Sequence, residues 1–298
     1  MRGELGLLGV PSSAAAHGPG QEKAPAALRR AGLVERLTAA GVRLADYGDL
    51  PPARWRPDPD QRRPHNLRAV VGVLGEASRG VGAVLADGRA PLVLGGECTV
   101  TIAVMSAFRD RGTAPALLYM DGGVDLFTPA TNPTGILDSM AVAHLLDEPG
   151  AAAELAGLGR ARPLLADDRL LLFGYSPDHG VQQQVMGRRG LAGIPADRVR
   201  GRPREAAQEA LARVTAAADR FLVHLDVDVV DFLDLPMADI PQHNAGLTFD
   251  EAMTCLAVFA GHQGLAGLVV TELNPDQGAE DGSTADTLVG GLVGALAG

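Results

Sequence analysis

The stretch FLVHLDVDVVD, residues 221–231, is apolar but for His224 until it reaches Asp226, and it repeats the acid at Asp228. A short run of that kind, apolar on both faces, reads as a strand buried inside a parallel sheet. ALLYMDGGVD, residues 116–125, has the same construction and sets Asp121 and Asp125 behind its own apolar run. Ionised carboxylates are expensive in such places unless they are paired or bound to a cation. Side chains alternate along a strand, so Asp226 and Asp228 are expected on one side together, and an extended 121–125 segment would do the same for Asp121 and Asp125. The pattern predicts one oxygen-rich pocket.

Outward from these two stretches, short apolar runs alternate with alanine-rich helical ones, the rhythm of a parallel sheet flanked by helices. Strands are predicted at Glu4 to Val10, Arg43 to Tyr47, Pro91 to Leu94, Ala116 to Met120, Arg169 to Phe173, Phe221 to Asp226 and Gly267 to Val270. Helices are predicted at Ala24 to Ala40, Asn66 to Ala86, Val100 to Arg111, Met140 to Leu146, Pro203 to Ala218, Thr248 to Gly261 and Ser283 to Ala297. PPARWRPDPDQRRP, residues 51–64, is too rich in proline to pack and reads as a surface excursion. The fold class is therefore α/β, three layers with a central parallel sheet, and residues 1–298 read as a single domain because no Pro/Ser/Gly linker divides them.

A composition of 46% hydrophobic and 21% charged residues over 298 positions gives enough apolar material for a large core. The net charge of −10 argues against nucleic acid or an anionic membrane as partner, since either would be met by a basic face. Two cysteines, Cys98 and Cys255, make no disulfide framework, and the opening MRGELGLLGVPSSAAAHG lacks the apolar core of a signal peptide. No uninterrupted apolar run of ~18 residues marks a membrane span, so a cytoplasmic location is expected.

In open parallel sheets ligands bind at the carboxyl ends of the strands, and the polar punctuation falls there. GGECT follows PLVL, DGGVD follows ALLYM, Asp226 and Asp228 end FLVHL, and Glu272 with Asn274 and Pro275 ends GLVVTELNP. Converging oxygens with few imidazoles favour Mg²⁺ or Mn²⁺, with Cys98 a softer donor.

These motifs resemble those of the ureohydrolase superfamily, and of arginases in particular. GVPSS, EKAPAALRRAGLVERL, DYGDLP, PLVLGGECT, DGGVDLFTP, HLDVDVVD, AGLT and TELNP all look like their arginase counterparts, so the resemblance runs nearly end to end. It implies an arginase-like α/β/α fold, a dinuclear Mn²⁺ centre with a bridging hydroxide, hydrolysis of a small guanidino compound, and a homo-oligomer, trimer or hexamer. By position, Asp121 and Asp226 would bridge the two metals, Asp125 would serve the first and Asp228 the second, and Glu272 would orient the substrate by accepting its N–H groups.

Departures from the family pattern fall at the same places. Where the motif reads Gly-Gly-Asp-His-Ser, this chain has Gly95, Gly96, Glu97, Cys98 and Thr99, so Cys98 replaces the first metal's histidine. Where it reads Asp-Ala-His-x-Asp, Gly123 replaces the second metal's histidine, which implies a weaker second site. Asp138 aligns with the histidine that handles protons at the leaving group, Phe127 with an asparagine and Thr134 with a serine that contact the substrate carboxylate, and Asp178 or His179 would meet its α-amino group. The Cys98 plus Gly123 pattern is similar to that of the Nω-hydroxy-arginine amidinohydrolase branch that serves D-cycloserine biosynthesis and releases hydroxyurea.

Plainer roles exist for several of these residues. Asp138 reads equally as a proton shuttle or an exposed helix N-cap, Glu272 could pair with an arginine at the sheet rim, and Cys98 could be a small buried hydrophobe. Cys255, His144 and His262 read as structural, and His243 as a loop contact for substrate. His224, two residues before Asp226, faces the same side, although the resemblance puts no ligand there. Three functions follow: hydrolysis of hydroxyarginine, hydrolysis of arginine or another guanidino compound, and a non-catalytic relative that keeps the fold.

Overall fold

The computed structural model describes residues 4–58, 63–176 and 180–298. Among these residues eight strands form one sheet: β1 Leu5–Gly9, β2 Leu44–Asp49, β3 Ala90–Leu94, β4 Ala116–Met120, β5 Leu170–Phe173, β6 Ala192–Ile194, β7 Phe221–Asp226 and β8 Leu265–Thr271. Their order across the sheet is β2-β1-β3-β8-β7-β4-β5-β6, and every pairing is parallel. The seven predicted strands are all present, and the three-residue β6 is an addition.

Alternation along the strands feeds two cores. Leu7, Leu118, Val223 and Leu225 pack beneath the helices Ala24–Arg30, Leu33–Ala39, Pro203–Ala217, Phe249–Ala260 and Ser283–Ala297. Leu8, Leu117, Tyr119 and Leu222 belong to the opposite face, with the helices Leu67–Ala86, Val100–Asp110 and Ala141–Leu145. Strands covered on both faces must be apolar on both, which is why they read as continuous runs. Leu67–Ala86 is long and apolar enough by composition to cross a membrane, but it buries Val70, Leu74, Ala77, Val81 and Val84 at helical spacing, the stripe of a helix lying on a core.

Three local expectations need correction. The helix predicted over Ala24 to Ala40 is two helices, broken at Gly32, which takes a left-handed φ of 79°. Asp228 does not continue β7: the chain turns into a 3₁₀ segment, Val227–Val229, immediately after Asp226. The 121–125 segment is not extended either, since Asp125 sits at φ 47°.

The topology brings the site together. The chain leaves β3, skips two positions to β4, runs outward through β5 and β6, then returns to fill the gap with β7 and β8. Strands β3, β8, β7 and β4 therefore lie side by side, and their carboxyl ends open at one rim where the order of the strands switches.

Candidate metal centre

Each of those four adjacent strands delivers one chemical group to the rim: Cys98 after β3, Glu272 after β8, Asp226 at the end of β7 and Asp121 after β4. Gly96 sets the first of these. A Cβ there would lie 1.6 Å from the Ser12 carbonyl oxygen, so only glycine lets the loop after β3 lie against the loop after β1. The Gly96 carbonyl then accepts the Glu272 N–H at 2.7 Å, which ties the ends of β3 and β8.

Cys98 lies at the centre. Its Sγ stands 2.9 Å from Asp226 Oδ2, 3.5 Å from His224 Nε2 and 3.9 Å from Asp121 Oδ2. Its backbone N–H is shared between Asp138 Oδ1 at 2.9 Å and Glu272 Oε1 at 3.1 Å. Asp138 is buried and has no capping role, so the exposed N-cap reading is set aside. Asp226 Oδ1 accepts the Asp228 N–H at 2.7 Å, and Asp228 Oδ1 accepts the Gly122 N–H at 2.9 Å. Two turns, not strand alternation, thus bring Asp228 beside Asp121.

Asp125 is held by the hydroxyl of Tyr119, which donates to its Oδ2 at 2.5 Å. Asp125 and Glu272 are two of the five non-glycine residues with positive φ among the described residues, at 47° and 68°. Such backbone costs on the order of 1 kcal/mol or more and persists where surrounding contacts over-determine it.

Asp121, Asp125, Asp138, Asp226, Asp228 and Glu272 are all buried, and no arginine or lysine among the described residues forms a salt bridge with any of them. Burial first, and then one another's charge, pushes the carboxyls of Asp121, Asp125, Asp226 and Glu272 well above the usual range. Asp138 is raised by burial and by Glu97, while the Gly122 N–H tempers the rise at Asp228. Burial, followed by the surrounding carboxylates, likewise pushes the Cys98 thiol up, so a thiolate there requires a cation. Burial lowers His224 to about 3 and keeps its imidazole neutral, the form that binds metals.

The residues fit divalent cations. Donor atoms of Cys98, Asp121, His224 and Asp226 lie within 4.8 Å of one another, as do those of Cys98, Asp138 and Glu272. The charge of a buried pocket with this excess of acid is balanced by an ion or by protonation, since no described lysine or arginine reaches it.

The remaining candidates make no hydrogen bond to these acids among the described residues. Thr134 is exposed and gives its hydroxyl to Asn132 Oδ1 at 2.6 Å, and Phe127 is half-buried against the core beneath the Val100–Asp110 helix. Asp178 and His179 lie outside the described residues. His243 is exposed and edge-on to Phe232, whereas Cys255, buried with its Sγ 3.3 Å from the Pro203 carbonyl, is core. A groove of about 1020 Å³, lined by Arg89, Arg111, Arg169 and Arg220, opens at the other end of the strands and shares no residue with the acids.

One site residue carried no sequence signal, and another was read only as part of a motif. Gln21, in the loop GPGQEKAP, is fully buried; its Nε2 donates to Glu272 Oε2 while its Oε1 has no partner among the described residues. Glu97 receives the Ser12 hydroxyl at 2.9 Å and leaves Oε2 without a partner among them. A buried glutamine opposite an acid shows itself only once the chain is folded.

The profile of the Arginase family matches residues 4–295. Among individual proteins, the arginase of Bacillus caldovelox is 27% identical over 296 residues, covering 97% of this chain and 98% of that one. Arginase-1 of Sus scrofa is 30% identical over 281 residues, covering 92% and 86%. The native structure of the Bacillus caldovelox arginase superposes with a TM-score of 0.87 at 26% identity, over 99% of this chain and 98% of that one.

Proposed function

The chain belongs to the Arginase family, a family of hydrolases acting on C–N bonds of linear amidines, and on that premise we propose that it cleaves Nω-hydroxy-L-arginine to L-ornithine and hydroxyurea. The observation that supports the hydroxylated substrate is the donor set. Cys98 and Gly123 stand at two positions where the family motifs carry imidazoles, and Gly123 leaves only carboxylates for a second ion. An N-hydroxyl withdraws electrons, so more of the substrate is neutral and electrophilic at pH 7. A centre short of imidazole is matched to a substrate activated in that way.

Manganese, the family's ion, would be held by Cys98, Asp121, Asp125 and Asp226 at a first position and by Asp121, Asp226 and Asp228 at a second. When bound, such ions supply Lewis acidity toward the guanidino group and the attacking water. Glu272, steadied by Gln21, accepts N–H donors of the substrate and fixes its plane. Asp138, a buried acid whose carboxyl is pushed well above the usual range by burial and by Glu97, lies next to Glu272 at the Cys98 N–H. As water adds to the guanidino carbon and the bond to the side-chain nitrogen breaks, Asp138 passes its proton to the departing ornithine amine. We take the 298 residues to work as one domain, in the cytoplasm, as a trimer or hexamer.

Arginine is the second reading, favoured by the names of the relatives. Ornithine release by the Mn²⁺-reconstituted protein, with arginine and Nω-hydroxy-arginine supplied separately at equal concentration, decides. We expect the hydroxylated substrate to lead in kcat/KM by at least tenfold, about 1.4 kcal/mol of transition-state discrimination. A lead for arginine would make the protein an ordinary arginase, and silence on both would leave another guanidino compound or a non-catalytic scaffold.

A further inference from the structure

Cys98 has a neighbour that the family pattern does not provide. His224 lies on β7 directly across from Tyr119 on β4, and the two rings stack at 4.0 Å with their planes 2° apart. On one edge of the imidazole, Nδ1 is 2.7 Å from Thr101 Oγ1 of the Val100–Asp110 helix. On the other, the nearest neighbours of Nε2 are Thr271 Oγ1 at 3.4 Å, Cys98 Sγ at 3.5 Å and Asp121 Oδ2 at 3.8 Å. The two oxygen contacts are longer than the roughly 2.7–3.2 Å of an ordinary N–H···O bond, and the sulfur contact is of the length usual for a weak N···S hydrogen bond. The imidazole is wholly buried and held firmly at Nδ1, while Nε2 makes only the longer contacts to Thr271 and Cys98 and faces a nest of metal donors.

We infer that His224 is a metal ligand in this protein: its Nε2 joins Cys98 Sγ, Asp121 and Asp226 around one ion, so that an imidazole from inside the sheet makes up for one lost from the loops. Donors about 2.0–2.3 Å from a tetrahedral zinc stand roughly 3.3–3.8 Å apart. The separations of 3.5 Å from Cys98 Sγ to His224 Nε2, 3.8 Å from His224 Nε2 to Asp121 Oδ2 and 3.9 Å from Cys98 Sγ to Asp121 Oδ2 are of that size, and the 2.9 Å between Cys98 Sγ and Asp226 Oδ2 opens with a small carboxylate rotation. Thr101 takes the orienting place that usually falls to a carboxylate or carbonyl: its hydroxyl holds the ring by Nδ1, and in the tautomer where it accepts Nδ1–H the Nε2 lone pair faces the cluster. One thiolate, one imidazole and two carboxylates form a softer set than oxygens alone, so this position selects Zn²⁺ or Co²⁺ over Mn²⁺, while the all-carboxylate second position keeps its preference for Mn²⁺.

X-ray absorption at the metal edge of the full-length protein loaded with one equivalent of Zn²⁺ or Co²⁺ tests this directly, because sulfur and imidazole give distinct scattering. One sulfur and one imidazole are expected, together with the intense visible bands of four-coordinate Co²⁺. His224→Gln should remove the imidazole signal, keep the thiolate charge-transfer band, and weaken Zn²⁺ and Co²⁺ binding by at least tenfold while leaving Mn²⁺ binding little changed. Thr101→Val, which keeps the imidazole and loses its anchor, should weaken Zn²⁺ by about 10–100-fold. A wild-type shell with sulfur but no imidazole would overturn the assignment, even if His224→Gln failed to fold. So would a folded His224→Gln protein with wild-type spectrum and affinity. Resting as it does on the proposed reading of the pocket as an ion site, the assignment falls together with that reading only if the wild-type protein takes up no divalent ion at all.

Discussion

Gly123 shows what a single residue decides here. A Cβ built on it would meet Asp121 Oδ1 at 3.2 Å and Asp125 Oδ1 at 3.6 Å, and its φ is not among the left-handed ones, so a side chain is admissible there after a slight swing of the Asp121 carboxylate. That side chain would rise between the two acids. Gly123→His should accordingly tighten the second ion by about 10–100-fold, the range seen when groups around a metal are changed. Metal titration with stoichiometry by mass spectrometry measures it, and an unchanged second affinity would show that position 123 does not face the ion. The acids around it were legible because a carboxylate that closes an apolar run is costly to bury without a cation. The left-handed backbone at Asp125 and Glu272 was not, since neither residue type calls for it, and Gln21 was not, because its partner Glu272 is 251 positions away.

Elements were legible where their pattern was strong. All the runs buried on both faces became strands, whereas the edge strand Ala192–Ile194 and the helix Val181–Arg189, VQQQVMGRR, lack an apolar stripe and gave no period to read. The short helix Ala141–Leu145 has more influence than its length suggests, because the Ala143 N–H binds the Asp125 carbonyl at 3.0 Å and so helps place a site residue. His144 locks that helix: its Nδ1 lies 2.6 Å from the Met140 carbonyl, and its Nε2 accepts the Ala152 N–H at 3.1 Å. Burial depresses its pKa from 6.5 to about 4, so between those values the unfolded chain binds the proton that the folded one refuses. Stability therefore is complete above pH 6.5 and falls as pH drops toward 4, by up to roughly 3 kcal/mol from this group. His144→Gln can reproduce both hydrogen bonds without titrating, and urea titrations should find its stability flatter between pH 6.5 and 4 than that of the wild type. Parallel profiles for the two proteins would remove His144 as the cause.

At the scale of the molecule, the sheet order decides the outcome. The alternation of strands and helices predicted a parallel sheet, but no pattern in it states that β7 and β8 return to the gap between β3 and β4. That return places Cys98, Glu272, Asp226 and Asp121 on four neighbouring strands contributed by distant parts of the chain. A cation at the rim would tie together segments that the sequence keeps apart. The same convergence makes the ion-free fold carry buried acids that repel one another, and the unfolded chain has no comparable cage, so ion binding should appear as folding stability. At a hundred times the dissociation constant the gain is about 2.7 kcal/mol, or about 4 °C in Tm for a chain of this size. Calorimetry after chelation and after adding back the ion measures it. Asp226→Asn supplies the opposing arm: with one charge fewer in the cage, the ion-free Tm should rise while the gain from the ion shrinks or disappears. If chelation leaves Tm unmoved and Asp226→Asn lowers it, the acids are stabilised by their own protons and hydrogen bonds, and the rim is not built around a metal.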